Sequence, residues 1–383
     1  MLFDRRHLLQ AALAAGIAAP LHAQNYGAAP AKPAEFPPID ARSVWLVGDD
    51  GAPRNPADTA ARLATLAGDP GKLRDSYLAG GAIEELEKGF AALLGKEACA
   101  FLPTGTLANN VALRVLCGEH PHAFCQADSH LYRDESDTAQ RLSGINLVPL
   151  DPGHAAPTIA ELTAAFDAAE KGPYPLAVGA ISLESPVRRL DGQMIAPAEL
   201  AAIAALAKAH GARLHLDGAR LLLAPPSIDV KAYAAPFDTV YVSLYKYLGA
   251  PFGAVLAGST ADIVRAREWR HLYGGLIYQG WAPALLALDG LKTFPATIAR
   301  AHARAGELIA TLDHERLVKR RVTPAPSNIH FLEIPEARAA AAFERGRTAG
   351  IRLGRWKEGA IPLYVNATIL RRETAEYIAL FRA

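Results

Sequence analysis

Apolar positions from residue 58 onward follow two alternating spacings. Apolar residues that recur every three to four positions predict helices over residues 83–94, 107–116, 158–169 and 197–210. Short apolar runs predict strands over residues 98–102, 123–126, 147–150, 177–183, 213–216, 239–243 and 254–257. Alternating helices and buried strands are typical of an α/β fold with a mostly parallel, doubly wound sheet. Such sheets bind ligands at the carboxyl ends of their strands.

The pattern changes after Pro295. A long helix is predicted over residues 297–312, strands near 329–334 and 362–365, and further helices from Pro335 and from Arg371. We therefore expect a large domain of residues 46–295 that carries the main sheet, and a small C-terminal α+β domain of residues 296–383.

Residues 1–23 have the features of an export leader. Arg5 and Arg6 form a pair, residues 8–19 are almost all apolar, and Ala23 is small. The apolar stretch is shorter than the roughly 20 residues that a membrane-spanning helix needs. The segment predicts a twin-arginine-type signal peptide and a periplasmic location, with a cytoplasmic amphipathic N-terminus as the alternative. Residues 24–45, rich in Ala and Pro at their start, are expected to form a linker or arm.

Composition narrows the class of partner. The 383 residues include 40 Lys and Arg against 39 Asp and Glu, so the formal net charge of +1 gives no basic field for nucleic acid. The three cysteines, Cys99, Cys117 and Cys125, lack metal-ligand spacing and are expected to be small buried apolar residues. The composition therefore favours a globular protein that acts on a small molecule, with no metal site.

Residues suited to catalysis or ligand binding stand at three predicted strand ends. Asp217 follows one strand and Lys246 another, and Gly105 and Thr106 lie where a third strand meets a helix. Taken singly, Asp217 has an ordinary explanation as a helix cap, Lys246 as a surface residue and Thr104 as a capping residue. Together they fit pyridoxal 5′-phosphate (PLP), which needs a Schiff-base lysine, a carboxylate beside its ring nitrogen and a phosphate cradle.

Motifs within residues 72–290 resemble those of the threonine aldolase family, whose members are PLP-dependent enzymes of fold type I, the aspartate aminotransferase-like class. The matching segments are Pro103-Thr104-Gly105-Thr106 with Ala108-Asn109, His130, His215-Leu216-Asp217-Gly218-Ala219-Arg220, and Lys246 followed by Gly249-Ala250-Pro251. The resemblance implies a PLP-dependent lyase that cleaves a β-hydroxy-α-amino acid to glycine and an aldehyde.

The resemblance also implies a role for each matching residue. Lys246 would bind PLP covalently, Asp217 would pair with the ring nitrogen and His130 would stack on the ring, which makes these three the predicted catalytic residues. Gly105, Thr106 and Ser243 would complete the cofactor site, and Arg220 and Tyr77 would bind the substrate. Members of the family usually form homodimers or homotetramers with each site at a dimer interface.

Some of the family's substrate-binding residues are replaced in this chain. Val187 stands where the family has a second histidine, and Pro362 where it has a second carboxylate-binding arginine. Side chains considered as substitutes are Arg188, Arg189, Arg352 and Arg355 for the arginine, and His271 or a water held by His130 for the base. Val44, Trp45 and Leu78 suggest a substrate side chain more apolar than that of threonine.

Three alternatives stay open at this point. β-Elimination or racemisation needs only Lys246 as a proton carrier at Cα. A non-catalytic exported binding protein would keep the fold without the activity. A nicotinamide dehydrogenase lacks support, because no Gly-x-Gly-x-x-Gly turn follows an early strand.

Overall fold

A seven-stranded sheet lies at the centre of this computed structural model, which describes residues 38–48, 51, 53–68 and 74–382. The strands of the chain are β1 (Val44–Leu46), β2 (Ala98–Leu102), β3 (His122–Gln126), β4 (Asn146–Leu150), β5 (Ala180–Glu184), β6 (Arg213–Asp217), β7 (Thr239–Ser243), β8 (Ala254–Gly258), β9 (Lys319–Arg321), β10 (Ile329–Glu333), β11 (Ile351–Leu353) and β12 (Ala360–Tyr364). The central sheet has the order β2-β8-β7-β6-β5-β3-β4, and only β8 runs antiparallel to its neighbours. The predicted α/β fold with a mostly parallel sheet is confirmed.

Helices connect these strands. They are α1 (Pro56–Leu66), α2 (Gly81–Leu94), α3 (Gly105–Cys117), α4 (His130–Arg133), α5 (Thr138–Ser143), α6 (Ile159–Glu170), α7 (Pro197–Ala209), α8 (Val230–Ala234), α9 (Thr260–Leu272), α10 (Trp281–His314), α11 (Glu336–Ala349) and α12 (Thr374–Phe381). Hydroxyl groups cap several of them, since Thr104 accepts a hydrogen bond from the Leu107 N–H and Thr158 one from the Glu161 N–H. None of the described helices is long and apolar enough to cross a membrane.

The carboxyl ends of β5, β6 and β7 meet at one edge of the sheet. In the register of the strands, Glu184 is paired with Asp217 and Asp217 with Tyr241. The strands behind this edge are apolar and fully buried along β5, β7 and β8. The buried core therefore ends in a row of polar side chains, where ligands of doubly wound sheets bind.

The C-terminal part differs from its sequence prediction in one long helix. Helix α10 continues through Pro295, where the sequence analysis placed the end of a domain and a helix start at residue 297. Pro295 lies on the exposed face, so the carbonyl that it leaves without a helical partner can bond to water, while Phe294 and Ile298 stay packed in the core. Residues from Ile39 onward form one compact unit. The division at 295/296 stays a prediction.

Two small sheets complete the described chain. β12, β10 and β9 form an antiparallel sheet, and β1 pairs in parallel with β11. β1 lies at the end of the predicted linker or arm of residues 24–45. The predicted leader and the linker up to residue 37 lie outside the described residues. Cys99, Cys117 and Cys125 are buried, as predicted.

Candidate active site

A cavity of about 300 Å³ opens at the carboxyl edge of the central sheet. Small-molecule sites occupy about 300–1,000 Å³, so this cavity has room for a compact ligand. Six of the predicted site residues line it: Gly105, Thr106, His130, Asp217, Arg220 and Lys246. The loops that follow β2, β3, β6 and β7 thus converge on one place.

The loop after β2 turns into helix α3 at the edge of the cavity. Thr104 caps this helix, because its hydroxyl accepts a hydrogen bond from the Leu107 N–H at 3.1 Å, and it also lines the cavity. A Cβ at Gly105 would overlap the Tyr241 hydroxyl, so only glycine lets the backbone pass there. The N–H groups of the first turn of a helix are not used within it and can bind a phosphate.

Ser243 ends strand β7 beneath the loop that carries Lys246. Its side chain is fully buried, and its hydroxyl oxygen meets no partner of suitable hydrogen-bond geometry among the described residues. A buried polar atom without a partner is rare and points to a ligand or water that satisfies it. Ser243 does not line the cavity itself, whereas Lys246 and Gly253 on either side of the same loop do.

The Asp217 carboxylate is 3% exposed at the end of β6. Oδ2 accepts a hydrogen bond from Asn109 Nδ2 at 2.8 Å, and Oδ1 accepts one from the Ala219 N–H at 3.1 Å. A carboxylate this buried is costly to keep ionised unless a cation lies close by. The protonated ring nitrogen of PLP is a cation of the required kind.

A second layer of residues orients the amide that holds Asp217. Asn109 Oδ1 lies 3.0 Å from His215 Nε2, and His215 Nδ1 lies 2.9 Å from the Thr239 hydroxyl. Burial lowers the pKa of His215 to about 4, so its ring is neutral. The network then assigns the proton to Nε2, which donates to Asn109 and turns the amide N–H groups toward Asp217.

His130 begins helix α4 and contacts a buried carboxylate. Its Nδ1 lies 3.0 Å from Glu135 Oε1, and Ser129 caps the short helix by accepting from the Tyr132 N–H. The hydrogen bond to Glu135 raises the pKa of His130 above its usual value, and the negative charges of Asp217 and Glu184 add to this effect against that of burial. Glu135 is itself only 3% exposed, and burial raises its pKa.

Glu184 is a residue of the site that the sequence analysis did not select. It lines the cavity at the end of β5, is 3% exposed, and accepts hydrogen bonds from the N–H groups of His130 (2.6 Å) and Arg188 (2.9 Å). Burial, with the neighbouring charge of Asp217, raises the pKa of Glu184 to about 7. Its signal in the sequence was the one used for Asp217, a carboxylate at the end of a buried strand.

This raised pKa predicts how the stability of the chain without PLP depends on pH. The folded chain keeps a proton on Glu184 that the unfolded chain loses above pH 4.5, so this contribution to stability is fully present below pH 4.5 and is lost as the pH rises through about 7. The contribution to the free energy of unfolding is about 3 kcal/mol, because each pKa unit between the folded and the unfolded chain corresponds to about 1.36 kcal/mol. Glu184→Gln cannot titrate but leaves one of the two backbone N–H groups facing its NH2, so it is expected to melt below the parent at pH 5 and to lose less of its melting temperature between pH 5 and pH 8. Melting temperatures of the two proteins that fall by the same amount between pH 5 and pH 8 would contradict this.

Lys246 and Arg220 are the cationic residues of the lining. Lys246 is half-buried in the loop after β7, with Nζ 5.4 Å from the ring centroid of Tyr245 and 6.0 Å from that of Tyr241. Arg220 follows Asp217 by three residues and is half-buried. The cavity thus holds one amine, one guanidinium and the carboxylates of Asp217 and Glu184.

Several predicted substrate residues do not reach the cavity within this chain. Tyr77 is 56% exposed and packs edge-on against Tyr278, with ring centroids 5.4 Å apart. Val44, Trp45 and Leu78 are buried in the core instead of lining the cavity. These three residues therefore give no support to an apolar substrate, because their side chains serve packing, and the polarity of the substrate side chain stays a prediction.

The proposed substitutes for the missing family residues also lie elsewhere. Arg189 forms a two-pronged ion pair with Asp134, and the Arg352 guanidinium lies 3.9 Å from the ring centroid of Trp45. His271 is exposed at the end of α9 and does not line the cavity. Val187, at the position of the family's second histidine, is completely buried. No group of three His, Cys, Asp or Glu side chains in the described ranges is placed to hold a metal ion.

The residues present fit PLP on three separate observations. The buried Asp217 carboxylate lines the cavity and suits a cationic ring nitrogen, the Ser243 hydroxyl lacks a partner of suitable geometry among the described residues, and the first turn of α3 borders the cavity at Gly105 and Thr106. Lys246 supplies the amine on the same cavity. Fold and site together define a PLP-dependent enzyme of fold type I.

Comparison with known proteins identifies the family. Residues 60–336 match the model described as Beta-eliminating lyase, and the chain belongs to this family. The low-specificity L-threonine aldolase of Escherichia coli K12 is 28% identical over 305 residues, 79% of this chain and 88% of the relative. That of Saccharomyces cerevisiae is 29% identical over 258 residues, 66% of this chain and 65% of the relative.

Solved structures agree with this assignment. A structure from Listeria monocytogenes, whose assignment as an L-allo-threonine aldolase is itself provisional, is 26% identical with a TM-score of 0.74, over 89% of this chain and 96% of that chain. The predicted resemblance to threonine aldolases, the fold type and the cofactor are confirmed. The chain is a PLP-dependent carbon–carbon lyase, which removes support from the alternative of a non-catalytic binding protein.

Proposed function

We propose that the chain cleaves a β-hydroxy-α-amino acid between Cα and Cβ and releases glycine and an aldehyde. The observation that carries the proposal is the convergence of Lys246, Asp217 and His130 on one cavity. Together they offer an amine, a carboxylate and an imidazole, which are the groups that this reaction needs. The relatives named as threonine aldolases support this choice of reaction.

Each residue of the cavity has a part in this proposal. Lys246 would hold PLP covalently, Asp217 would pair with its ring nitrogen, and His130 would lie against its ring. The N–H groups of Gly105 and Thr106, with the Ser243 hydroxyl, bind its phosphate. Arg220 binds the substrate carboxylate, for which a guanidinium has the matching pair of donors. Bound PLP supplies the electron sink for cleavage of the Cα–Cβ bond.

Val187 favours β-elimination or racemisation as a second candidate, a side reaction of this carbon–carbon lyase at the same site. Without a second imidazole the cavity has fewer groups that can take a hydroxyl proton, while a proton carrier at Cα needs only Lys246. Product analysis separates the candidates. Cleavage gives glycine and an aldehyde, elimination gives a 2-oxo acid and ammonium, and racemisation gives the enantiomer alone. The absence of glycine and aldehyde from every β-hydroxy amino acid supplied would overturn the main proposal.

A homodimer or homotetramer with sites at the dimer interface is also proposed. Tyr245 and Phe252 line the cavity yet are 44% and 40% exposed, and the Tyr77–Tyr278 pair is exposed as well. Large exposed aromatic side chains are enriched at interfaces between proteins. Since Tyr77 does not reach the cavity of its own chain, its predicted contact with the substrate would require a neighbouring chain. Light scattering is expected to give the mass of two or four chains, and the mass of one chain would contradict this.

We further propose that residues 1–23 direct the protein to the periplasm. The paired Arg5 and Arg6 ahead of an apolar stretch support this. Expressed in a bacterial host with a twin-arginine pathway, the chain is expected in the periplasmic fraction, and a variant with both arginines changed to lysine in the cytoplasmic fraction. Equal distribution of both proteins would overturn the proposal.

A further inference from the structure

His130 and Glu135 form a pair in which the imidazole could act as a base and the carboxylate could orient it. The two residues stand at the start and just beyond the end of α4, and Glu135 Oε1 lies 3.0 Å from His130 Nδ1. We propose that Glu135 is a positioning residue, which fixes His130 by its Nδ1–H so that Nε2 accepts the side-chain hydroxyl proton of the substrate. This inference rests on the proposed function, because aldol cleavage requires a base at that hydroxyl.

Glu135 is held in place from three directions. Besides His130, Asn109 Nδ2 donates to Oε1 at 2.9 Å and Asn110 Nδ2 donates to Oε2 at 3.1 Å. Asn110 Nδ2 also lies 2.8 Å from the Thr106 carbonyl oxygen and 2.9 Å from the Thr138 hydroxyl, so three acceptors share the two hydrogens of its NH2 group. A carboxylate in this setting cannot rotate away without leaving buried amide groups unpaired.

The partner of Nδ1 determines where the imidazole can act. A carboxylate only accepts hydrogen bonds, so Nδ1 carries the proton and the lone pair of the neutral ring is on Nε2. The His130 side chain lines the cavity and is 33% exposed, and the contact with Glu135 occupies Nδ1 alone. Nε2 is therefore the ring nitrogen available to a ligand.

The two carboxylates of the cavity have their oxygens engaged. Both oxygens of Glu184 accept backbone N–H groups, and both oxygens of Asp217 accept hydrogen bonds. Val187 is buried where the family carries its second imidazole. His130 is thus the imidazole on which the proton transfer in this chain depends.

Asn109 links this pair to the cofactor carboxylate. Its Nδ2 donates both to Glu135 and to Asp217, so one amide bridges the two carboxylates. Glu135, Glu184, Asp217 and Asp134 are the acidic groups close to His130, while Lys246 and Arg220 are the cations of the same cavity. The charges of the acidic groups favour the protonated imidazole, and Glu135 contributes most through its hydrogen bond.

The proposed step is balanced in atoms and electrons. The proton of the substrate hydroxyl passes to His130 Nε2, the carbon–oxygen bond becomes the double bond of the aldehyde, and the Cα–Cβ bond breaks. The electron pair of the broken bond stays with the glycine fragment, which then takes up a proton at Cα. One amino acid is consumed, and one glycine and one aldehyde are formed.

Histidine NMR on the full chain without PLP tests the positioning directly. The signals of His130 are assigned as those missing from the spectrum of His130→Gln. At a pH above the pKa of His130, the ¹⁵N chemical shifts of the parent are expected to show a protonated Nδ1 and an unprotonated Nε2. Glu135→Gln is expected to lower the pKa of His130 by about one unit, the size of a typical shift from one charged partner. Glu170→Gln is the matched control, because Glu170 Oε1 lies 2.8 Å from His210 Nδ1, and this change is expected to leave the pKa of His130 as in the parent.

Kinetics of the PLP-loaded chain supply the second readout. His130 must be unprotonated to act as the base, so kcat/KM falls at low pH as His130 takes up a proton. In Glu135→Gln this fall is expected at a lower pH, displaced by the same amount as the pKa of His130 measured by NMR. The visible absorbance of bound PLP should be unchanged. A role in folding alone would lower the melting temperature and leave the pH of this fall unchanged.

The outcomes separate this inference from the proposed function. An Nε2–H tautomer of His130 in the parent would overturn the inference without any variant. A pKa of His130 in Glu135→Gln that lies within about 0.2 units of the parent's value would also overturn it, because loss of a charged partner is expected to shift the pKa by about one unit. If the chain cleaves no β-hydroxy amino acid but shows the Nδ1–H tautomer and the shifted pKa, the proposed function fails and the positioning of His130 by Glu135 stands.

Discussion

Replacement of Lys246 with alanine is expected to remove the visible absorbance of lysine-bound PLP and to lower turnover by on the order of 10⁴-fold or more, since removal of a covalent catalytic group usually costs this much. Lys246 is the lysine of the cavity lining, where it lies beside the Tyr245 and Tyr241 rings. Among the residues that the structure describes, no other amine lines the cavity to replace it. The spectrum of the purified protein with added PLP and the rate of aldehyde release measure both effects.

Lys171→Ala is the matched control for this substitution. Lys171 ends helix α6, is 71% exposed and pairs with Asp167, so its loss is expected to leave spectrum and rate unchanged. A Lys246→Ala protein that keeps the absorbance band and the parent's rate would contradict the assignment of the cofactor lysine.

Asp217→Asn is expected to lower turnover by about a hundredfold or more while PLP still binds. A charge-assisted hydrogen bond contributes about 1.5–3 kcal/mol, which alone corresponds to about ten- to a hundredfold. The loss should be larger in turnover than in PLP affinity, because the protonated ring nitrogen matters most while negative charge develops during cleavage. Titration with PLP followed by the visible spectrum, together with kcat, separates the two quantities.

Asp238→Asn provides the comparison. Asp238 also accepts a backbone hydrogen bond at a strand, from the Leu214 N–H at 2.7 Å, and pairs with Arg213, but it does not line the cavity. We expect Asp238→Asn to lower the melting temperature and to leave kcat of the loaded enzyme near the parent's value. Equal losses of kcat in the two variants would show that Asp217 acts through folding only.

The central sheet could be predicted because its strands are short apolar runs bounded by polar residues or glycine. The strands at residues 98–102 and 239–243 have the predicted bounds, and the other five differ by one to three residues at an end. β1, β9 and β11 were not predicted, since three residues are too few to show a period. Helix α10 was shortened because Pro295 normally ends a helix, and only packing in three dimensions overrides it.

The site was predictable where a residue follows a strand, and less so where it acts through hydrogen bonds. Asp217 and Lys246 were found by position, and six predicted residues do line one cavity. The contacts of Asn109 with Glu135, Asp217 and His215 join residues 26 to 108 positions apart, which no local pattern reveals. Val44, Trp45 and Leu78 were misread because an apolar residue near a motif can equally belong to the core.

Isotope labelling gives the most direct test of the central claim, that this chain is an aldol-cleaving PLP enzyme. The PLP-loaded chain is incubated in D₂O with threonine or phenylserine, and the products are followed by NMR. Glycine and the aldehyde are expected in equal amounts, with deuterium at Cα of each glycine, and Lys246→Ala is expected to give no reaction. A 2-oxo acid with ammonium, or substrate deuterated at Cα without aldehyde, would contradict this claim.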